Sequence, residues 1–179
     1  MNELKRYVIV ISVVEGLSGA KSWCGETHIQ KAIYFLEKLF PEVIDYPFIL
    51  YKHGPFSFEL RDDIGIMVAG QFLKLVPMFP YGPRILTGEL AGKTKELFPK
   101  TLMEHGKRIN FIAEKLAEKD VGQLETLATA LYITLESHPN TIIEKRARKL
   151  CELKPHIPLE SAKKGIEEVD QIIKEAQRY

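Results

Sequence analysis

A glycine–proline pair at residues 54 and 55 sets the path of the chain more firmly than any other local signal. An apolar run from Tyr46 to Tyr51 precedes it and predicts a β-strand. Gly54 and Pro55 then break the strand, because glycine permits backbone conformations that other residues resist and proline fixes its own φ. Ser57 is a good helix N-cap, so this segment predicts a sharp corner between a strand and a helix.

Three helices are predicted in this first part of the chain. The apolar run at 4–16 is too continuous for a half-exposed strand, and we interpret it as a buried helix. A second helix at 27–40 has Thr27 as its predicted cap and apolar residues at helical spacing. The third begins at Ser57 and ends at Gly70. Its predicted buried face consists of Leu60, Ile64, Met67 and Val68. Its predicted free face carries Glu59, Arg61, Asp62 and Asp63.

A β hairpin is predicted immediately after the third helix. Residues 72–76 have a strand-like pattern, and residues 84–87 resume it after a proline-rich loop at 78–83. The predicted elements follow one another as helix, helix, strand, helix, strand, loop and strand. This is the order expected of a winged-helix unit, in which that loop is the wing. We therefore predict a winged-helix-like core over residues 1–99.

The remaining residues, 100–179, predict a helical extension that packs on this core as part of one structural unit. Thr101 with Glu104 and Asp120 with Gln123 have the spacing of capping boxes, and Thr141 marks a further helix start. The last helix, from about 158 to 177, has an apolar seam with coiled-coil-like spacing, which either docks on the core or pairs two chains. The predicted fold class is mainly α with a small antiparallel β element.

Composition and charge exclude several classes of protein. The 179 residues include 25 basic and 24 acidic ones, so a strongly basic nucleic-acid or membrane-surface binder is not indicated. Cys24 and Cys151 are the only cysteines, which excludes a disulfide scaffold and a cysteine-rich zinc site and fits a reducing compartment. Apolar runs are too short for a membrane span, so we predict a cytoplasmic protein without a membrane partner.

Familiar catalytic and cofactor motifs do not occur in the sequence. The five histidines are scattered without metal-binding spacing, so neither a metal site nor a cofactor is predicted. A triad of Ser57, His53 and Asp62 lacks the nucleophile-elbow motif. We therefore predict no catalytic residue, and an enzyme with an unfamiliar site between Tyr51 and Glu59 is an alternative.

Two motifs resemble the YwgA-like family of small bacterial and archaeal proteins. The run Gln30-Lys31-Ala32-Ile33-Tyr34 is similar to the family's Gln-Lys-x-hydrophobic-Tyr motif, and residues 51–60 are similar to its Tyr-x-x-Gly-Pro-Tyr/Phe-Ser-x-x-Leu segment. More distantly, Lys52-His53-Gly54-Pro55 resembles the Lys-Tyr-Gly-Pro core of SocA-like (Panacea) antitoxin domains. The resemblance covers about residues 25–75. It implies a winged-helix-like fold without a defined activity, and no catalytic residue is carried over.

Two groups of residues are candidate binding sites. The corner forms a candidate partner or anion site with the free N–H groups of the following helix, unless it only specifies the fold. Its residues are Tyr51, Lys52, His53, Gly54, Pro55, Ser57 and Glu59. The candidate nucleic-acid contacts are Arg84, near the wing, and Lys145, Arg146, Arg148 and Lys149, on a predicted exposed helix face.

From these observations we predict a non-enzymatic regulatory or protein-interaction module, antitoxin-like by its distant resemblance, with a protein as its main partner. A DNA-binding transcriptional regulator is the first alternative. Against it, the acidic free face of the helix after Ser57 would repel phosphate groups. A homodimer through the C-terminal helix is a further alternative.

Overall fold

The computed structural model describes residues 2–179 and places eight helices and two β hairpins among them. The helices are α1 (Glu3–Gly19), α2 (Glu26–Leu39), α3 (Phe58–Ala69), α4 (Ala91–Glu96), α5 (Pro99–Leu116), α6 (Val121–Glu136), α7 (Ile143–Leu153) and α8 (Leu159–Ala176). The strands are β1 (Ile49–Tyr51), β2 (Gly54–Phe56), β3 (Leu73–Met78) and β4 (Tyr81–Thr87). β1 pairs with β2 and β3 pairs with β4, both antiparallel. The predicted fold class, mainly α with small antiparallel β elements, is confirmed.

α1 and α2 lie at the centre of one hydrophobic core. Residues 7–11 of α1 are all buried, so this helix is covered on every side, as its continuous apolar run predicts. α2 buries every residue from His28 to Leu36. α5 packs along α1, and α6 packs along α2. The predicted core and the predicted helical extension therefore share a single interior.

α3 begins and ends where the sequence predicts. Ser57 Oγ accepts a hydrogen bond from Leu60 N–H at 3.2 Å, and Gly70 follows the last helical residue. Three of the four predicted inward residues, those at 60, 64 and 67, are buried, whereas Val68 is only partly buried. The periodicity of α3 was therefore sufficient to orient the helix on the core.

The hairpin β3–β4 is attached to the segment between α1 and α2. Ile85 N–H of β4 donates to the Cys24 carbonyl at 2.8 Å, and Arg84 Nε donates to the Trp23 carbonyl at 3.2 Å. These bonds hold β4 against the segment just before α2, and the hairpin packs on α1 and α3.

The strands differ from their predicted extents. The strand predicted from Tyr46 begins only at Ile49, and Gly54 and Pro55, predicted as a break, belong with Phe56 to the returning strand β2. The loop predicted at 78–83 is reduced to Phe79 and Pro80, because β3 and β4 both continue into it. Pairing between strands, which local turn residues do not reveal, extends both hairpins.

Local capping signals are correct at α6 and wrong at three other helices. Asp120 Oδ1 accepts from Gln123 N–H at 2.8 Å and Gln123 Oε1 accepts from Asp120 N–H at 2.9 Å, which confirms the capping box. α2 already begins after Gly25, and α5 begins at Pro99, a residue suited to the first helical position. The threonines wrongly predicted to start helices are Thr27, Thr101 and Thr141.

The apolar seam of α8 is covered within the chain. Ile166, Val169 and Ala176 are buried, and α8 packs on α6 and α7. A β-carbon added at Gly165 would lie 2.8 Å from Thr126 Cγ2, which shows how closely α8 approaches α6. The seam therefore docks on its own core and is not a free surface for a homodimer.

Gly16 allows the close approach of α1 to α5, since an added β-carbon would lie 2.9 Å from Ala113 Cβ. We expect Gly16→Leu to lower the free energy of unfolding by about 1–3 kcal/mol, because overpacking displaces the backbone. Urea denaturation measures this change. Gly19, in the same helix, has no atom within 4 Å of an added β-carbon. Gly19→Leu is therefore the matched control, and an equal loss in both variants would contradict the explanation.

Candidate functional site

The centre of the predicted corner is packed inside the protein. Gly54 has a φ of 83°, and an added β-carbon would lie 3.0 Å from Thr129 Oγ1 and 3.5 Å from the Glu125 carbonyl. L side chains rarely adopt this backbone conformation, so glycine is required for two independent reasons. Pro55 and Ser57 are buried as well. The glycine–proline pair therefore docks the hairpin β1–β2 on α6.

The two sequence motifs contact each other directly. Gln30 Nε2 donates to the Ser57 carbonyl at 2.9 Å, and Gln30 Oε1 accepts from Ser57 N–H at 3.0 Å. Lys31 Nζ donates to the Pro55 carbonyl at 2.7 Å. These bonds satisfy buried backbone groups that are costly to leave unpaired. One turn of α2 thus holds the segment that leads from β2 into α3.

A buried carboxylate lies under the turn of this hairpin. Glu125 of α6 has Lys154 Nζ and His156 Nε2 both at 3.4 Å from its Oε1. His53 Nδ1 lies 3.5 Å from its Oε2. The two histidines are largely exposed, whereas Glu125 and Lys154 are buried. The group Lys31, His53, Glu125, Lys154 and His156 is called the polar cluster below.

The two lysines of the polar cluster face backbone carbonyls. Lys154 Nζ donates to the carbonyls of Tyr51 at 2.9 Å and Lys52 at 2.5 Å. Lys31 is only 2% exposed. Burial lowers the pKa of Lys31 to about 8, an effect that Glu125 opposes and Lys154 reinforces. The polar cluster therefore ties the turn of β1–β2 to α2, α6 and the segment after α7.

Ser57, His53 and Asp62 each contact groups outside the triad that they could have formed. Ser57 Oγ is buried and bonded as the cap of α3, while His53 faces Glu125. Asp62 pairs with its neighbour Arg61 at 3.0 Å. Among residues 2–179, no three side chains of metal-ligating type lie close enough to hold one ion. Within the predicted partner or anion site, the Ser57 hydroxyl is buried and bonded, whereas His53 is largely exposed.

The free face of α3 carries one acid fewer than predicted. Asp63 is buried, accepts a hydrogen bond from Tyr46 Oη at 2.7 Å and lies 3.2 Å from Arg6 Nη2. Glu59 stays exposed and pairs with Arg6 at 2.5 Å. The assignment of Asp63 to the free face is wrong, because two partners from distant parts of the chain cover that side of α3.

The candidate nucleic-acid residues lie on β4 and α7, and only three of the five are exposed. Arg84, on β4, is bonded to the Trp23 carbonyl. The exposed ones on α7 are Lys145, Arg148 and Lys149. Arg146 is buried, with Nη1 and Nη2 at 2.7 and 2.6 Å from the two carboxylate oxygens of Asp170. The prediction that Arg146 is exposed is wrong, because α8 covers that side of α7.

A large cleft, which the sequence did not reveal, lies between the hairpin β3–β4, α3 and the first turn of α2. Its volume is about 1140 Å³. Its apolar lining includes Ile64, Val68, Leu75, Tyr81, Ile85 and Val121. Trp23, the only tryptophan of the chain, lines the cleft and packs edge-on against Tyr81 with ring centroids 5.4 Å apart. This lone tryptophan is a sequence feature that could have indicated the site.

One end of the cleft is polar. Residues 25–28, which line it, form the start of α2, and Gly25 has no side chain with which to cap the helix. His28 Nε2 lies 3.2 Å from the Lys119 carbonyl, and its Nδ1 is buried without a hydrogen-bond partner among residues 2–179. Burial lowers the pKa of His28 and so favours its neutral imidazole. With Nε2 donating to the carbonyl, Nδ1 is an acceptor.

Charged residues on otherwise apolar helix faces were the missed signal for the polar cluster. Lys31 shares its face of α2 with Tyr34 and Phe35, three and four residues further on, and Glu125 shares its face of α6 with Val121 and Ala128. Such positions predict burial and hence a partner of opposite charge or polarity. Which group serves as partner depends on contacts between residues far apart in sequence.

No protein-family model matches the chain, and no curated protein matches it. Within residues 2–179, the helices are all too short or too polar to cross a membrane.

We expect Gly54→Ala to lower the free energy of unfolding by about 1–3 kcal/mol, because the left-handed φ and the contact with Thr129 both oppose a side chain. Denaturant unfolding measures the loss. Adding Thr129→Ala to Gly54→Ala should recover only the part of the lost free energy of unfolding that comes from the contact. Gly82, whose surroundings are open, gives the control Gly82→Ala. Full recovery in the double variant would show that the φ angle is unimportant.

Lys31 should make stability depend on pH. Its pKa is about 8 in the folded protein and about 10.5 when unfolded, so the folded state loses the proton first. Stability from this group is lowest below pH 8 and rises between pH 8 and 10.5, where the unfolded chain binds more protons. We expect the wild-type stability minus that of Lys31→Met to rise by about 3 kcal/mol across this range. A difference independent of pH would contradict the shift.

Proposed function

We propose that this protein is a non-enzymatic regulatory module that binds a protein partner. The observation that carries the proposal is a row of exposed apolar side chains on β1, α3 and the hairpin β3–β4. We call it the aromatic surface, and its residues are Tyr51, Phe58, Leu75, Phe79 and Tyr81. Phe79 is fully exposed and Tyr81 is 71% exposed. Exposed apolar surface of this kind is typical of protein-interaction sites.

Ring and cation contacts join the residues at one end of the aromatic surface. The Tyr51 and Phe58 rings lie 5.3 Å apart, and the Arg61 guanidinium lies 5.1 Å from the Phe58 ring centroid. Arg61 also lines the cleft together with Leu75 and Tyr81. Aromatic and arginine side chains are enriched at protein interfaces. One part of the surface therefore lies beside the glycine–proline hairpin, and the other lies on β3–β4, with the cleft shared between them.

The order of elements supports a winged-helix-like arrangement for residues 1–99. α1, α2 and α3 are followed by the hairpin β3–β4, and β4 is bonded to the segment before α2 through Ile85 and Cys24. In a DNA-binding winged helix, the helix before the hairpin reads bases. Under our proposal, α3 and the hairpin present the partner-binding surface instead. The resemblance of the two motifs to YwgA-like proteins and, more distantly, to SocA-like antitoxin domains is the basis for proposing this arrangement.

Charge and chemistry on this face favour protein over DNA. The exposed acids of α3, Glu59 and Asp62, are paired with Arg6 and Arg61, so these cations are already neutralised. The tip of the hairpin is aromatic at Phe79 rather than basic. Binding to duplex DNA depends on cations that contact phosphates. The transcriptional-regulator alternative is therefore less well supported than protein binding.

Substitutions on the aromatic surface test the proposal. We expect Phe58→Ser with Phe79→Ser to reduce recovery of a specific partner from native lysate at least about tenfold, because buried aromatic anchors dominate interface energies. Met103, on α5, is 82% exposed and lies outside this surface. Met103→Ser is therefore the matched control and should retain the partner. Quantitative mass spectrometry of captured proteins measures recovery.

Equal recovery with all variants would contradict the proposed surface. Tight binding to random duplex DNA that collapses between about 50 and 200 mM salt would favour the DNA-binding alternative instead. Fluorescence anisotropy of a labelled duplex gives this second measurement. We expect little binding at either salt concentration.

A further inference from the structure

We infer that the cleft beside the hairpin β3–β4 binds an extended, uncharged peptide segment through its backbone amide and its apolar side chains. The inference rests on the proposed protein-binding function and specifies the chemistry of the segment that is bound. It is carried by the size and lining of the cleft, by the polar groups at one end, and by the balance of charge around it.

Size and lining favour a segment of several residues. The cleft volume of about 1140 Å³ exceeds the range of about 300–1,000 Å³ that is usual for small-molecule sites. The walls are largely apolar, with Ile64 and Val68 from α3 opposite Leu75 and Tyr81 from the hairpin. Alternating side chains of an extended segment can occupy such walls while its backbone stays between them.

The polar end of the cleft matches an amide group. His28 is only 4% exposed, and its Nδ1 is an acceptor without a partner among residues 2–179. The N–H groups of the first turn of α2, which begins after Gly25, are donors without a side-chain cap. A carboxylate would serve these donors but not His28, and an ammonium group would serve only His28. An amide has one donor and one acceptor and serves both.

The charge of the lining favours a neutral segment. Its basic residues are Lys21, Arg61 and Lys119, and its acidic residues are Glu26, Glu118 and Asp120. Lys119 already pairs with Glu168 at 2.6 Å, and Asp120 is engaged in the capping box of α6. Charge complementarity therefore gives no net attraction for a strongly acidic or basic ligand, and apolar contacts select the occupant.

A random twelve-residue peptide library displayed on phage and selected on the immobilised full chain tests the inference. Selected peptides lacking tryptophan are synthesised and titrated while the emission of Trp23 is recorded. We expect uncharged sequences rich in apolar residues that shift this emission. Replacing one particular amide N–H by an ester oxygen should weaken binding at least about tenfold, because His28 then loses its donor.

Filling the cleft provides the decisive variant. Gly65 lines the cleft, and no atom lies within 4 Å of an added β-carbon, so Gly65→Leu fills space without a clash in the folded chain. We expect it to raise the peptide Kd at least about tenfold. Gly106, on α5, has equally open surroundings and does not line the cleft. Gly106→Leu should leave the Kd unchanged.

Three outcomes would overturn the inference. Peptides that bind Gly65→Leu as tightly as wild type, with loss in Phe58→Ser, would place binding on the aromatic surface and leave the proposed function intact. Equal affinity for N-acetyl amino-acid amides would make the cleft a small-molecule site. Failure to select any peptide would overturn this inference and leave the proposed function intact. The proposed function would fall as well if partner recovery from lysate were also insensitive to Phe58→Ser with Phe79→Ser.

Discussion

Three hydrogen bonds from one turn of α2 hold residues 55–57 inside the protein, and the surrounding architecture depends on them. Gln30 and Lys31 make these bonds in an apolar interior, where an unpaired carbonyl or N–H group is costly. The held segment directs β2 toward α6 on one side and begins α3 on the other. Glu125 and Lys154 then approach the same turn from the C-terminal helices. The Gln-Lys and Gly-Pro motifs are therefore two halves of one structural device.

Buried and exposed residues lie next to each other in the short stretch of chain that these bonds hold. Gly54, Pro55 and Ser57 are buried and determine how the hairpin docks, whereas Tyr51 and Phe58 on either side are exposed. Gly54, Pro55 and Ser57 thus support the aromatic surface from the interior, and Tyr51 and Phe58 of the same segment form part of it. The proposed binding function belongs to side chains that the signature positions, and the cleft beyond them belongs to α3, the second hairpin and the start of α2.

Local sequence patterns predicted burial best where one face of a helix had to be apolar. They predicted it least well where a polar residue is buried against groups from distant parts of the chain. Periodicity along α3 correctly predicted Leu60 and Met67 as buried, because burial of an apolar face is a property of the helix itself. Asp63 and Arg146 look solvated in sequence, yet each is buried against groups supplied by other elements. The cleft was missed for the same reason, since its lining comes from five separate segments.

Sequence alone was enough to predict every helix except the short α4, the two extended regions, the cap of α3 and the need for glycine at position 54. Each of these follows from side-chain periodicity or from the conformational limits of a single residue, which act over a few neighbours. Only the tertiary structure decided that Lys31 reaches the Pro55 carbonyl, that the α8 seam is covered within the chain, and that Trp23 and His28 share a cleft. Those relationships join residues far apart along the chain, and packing of the whole core selects among the many pairings that local chemistry would allow.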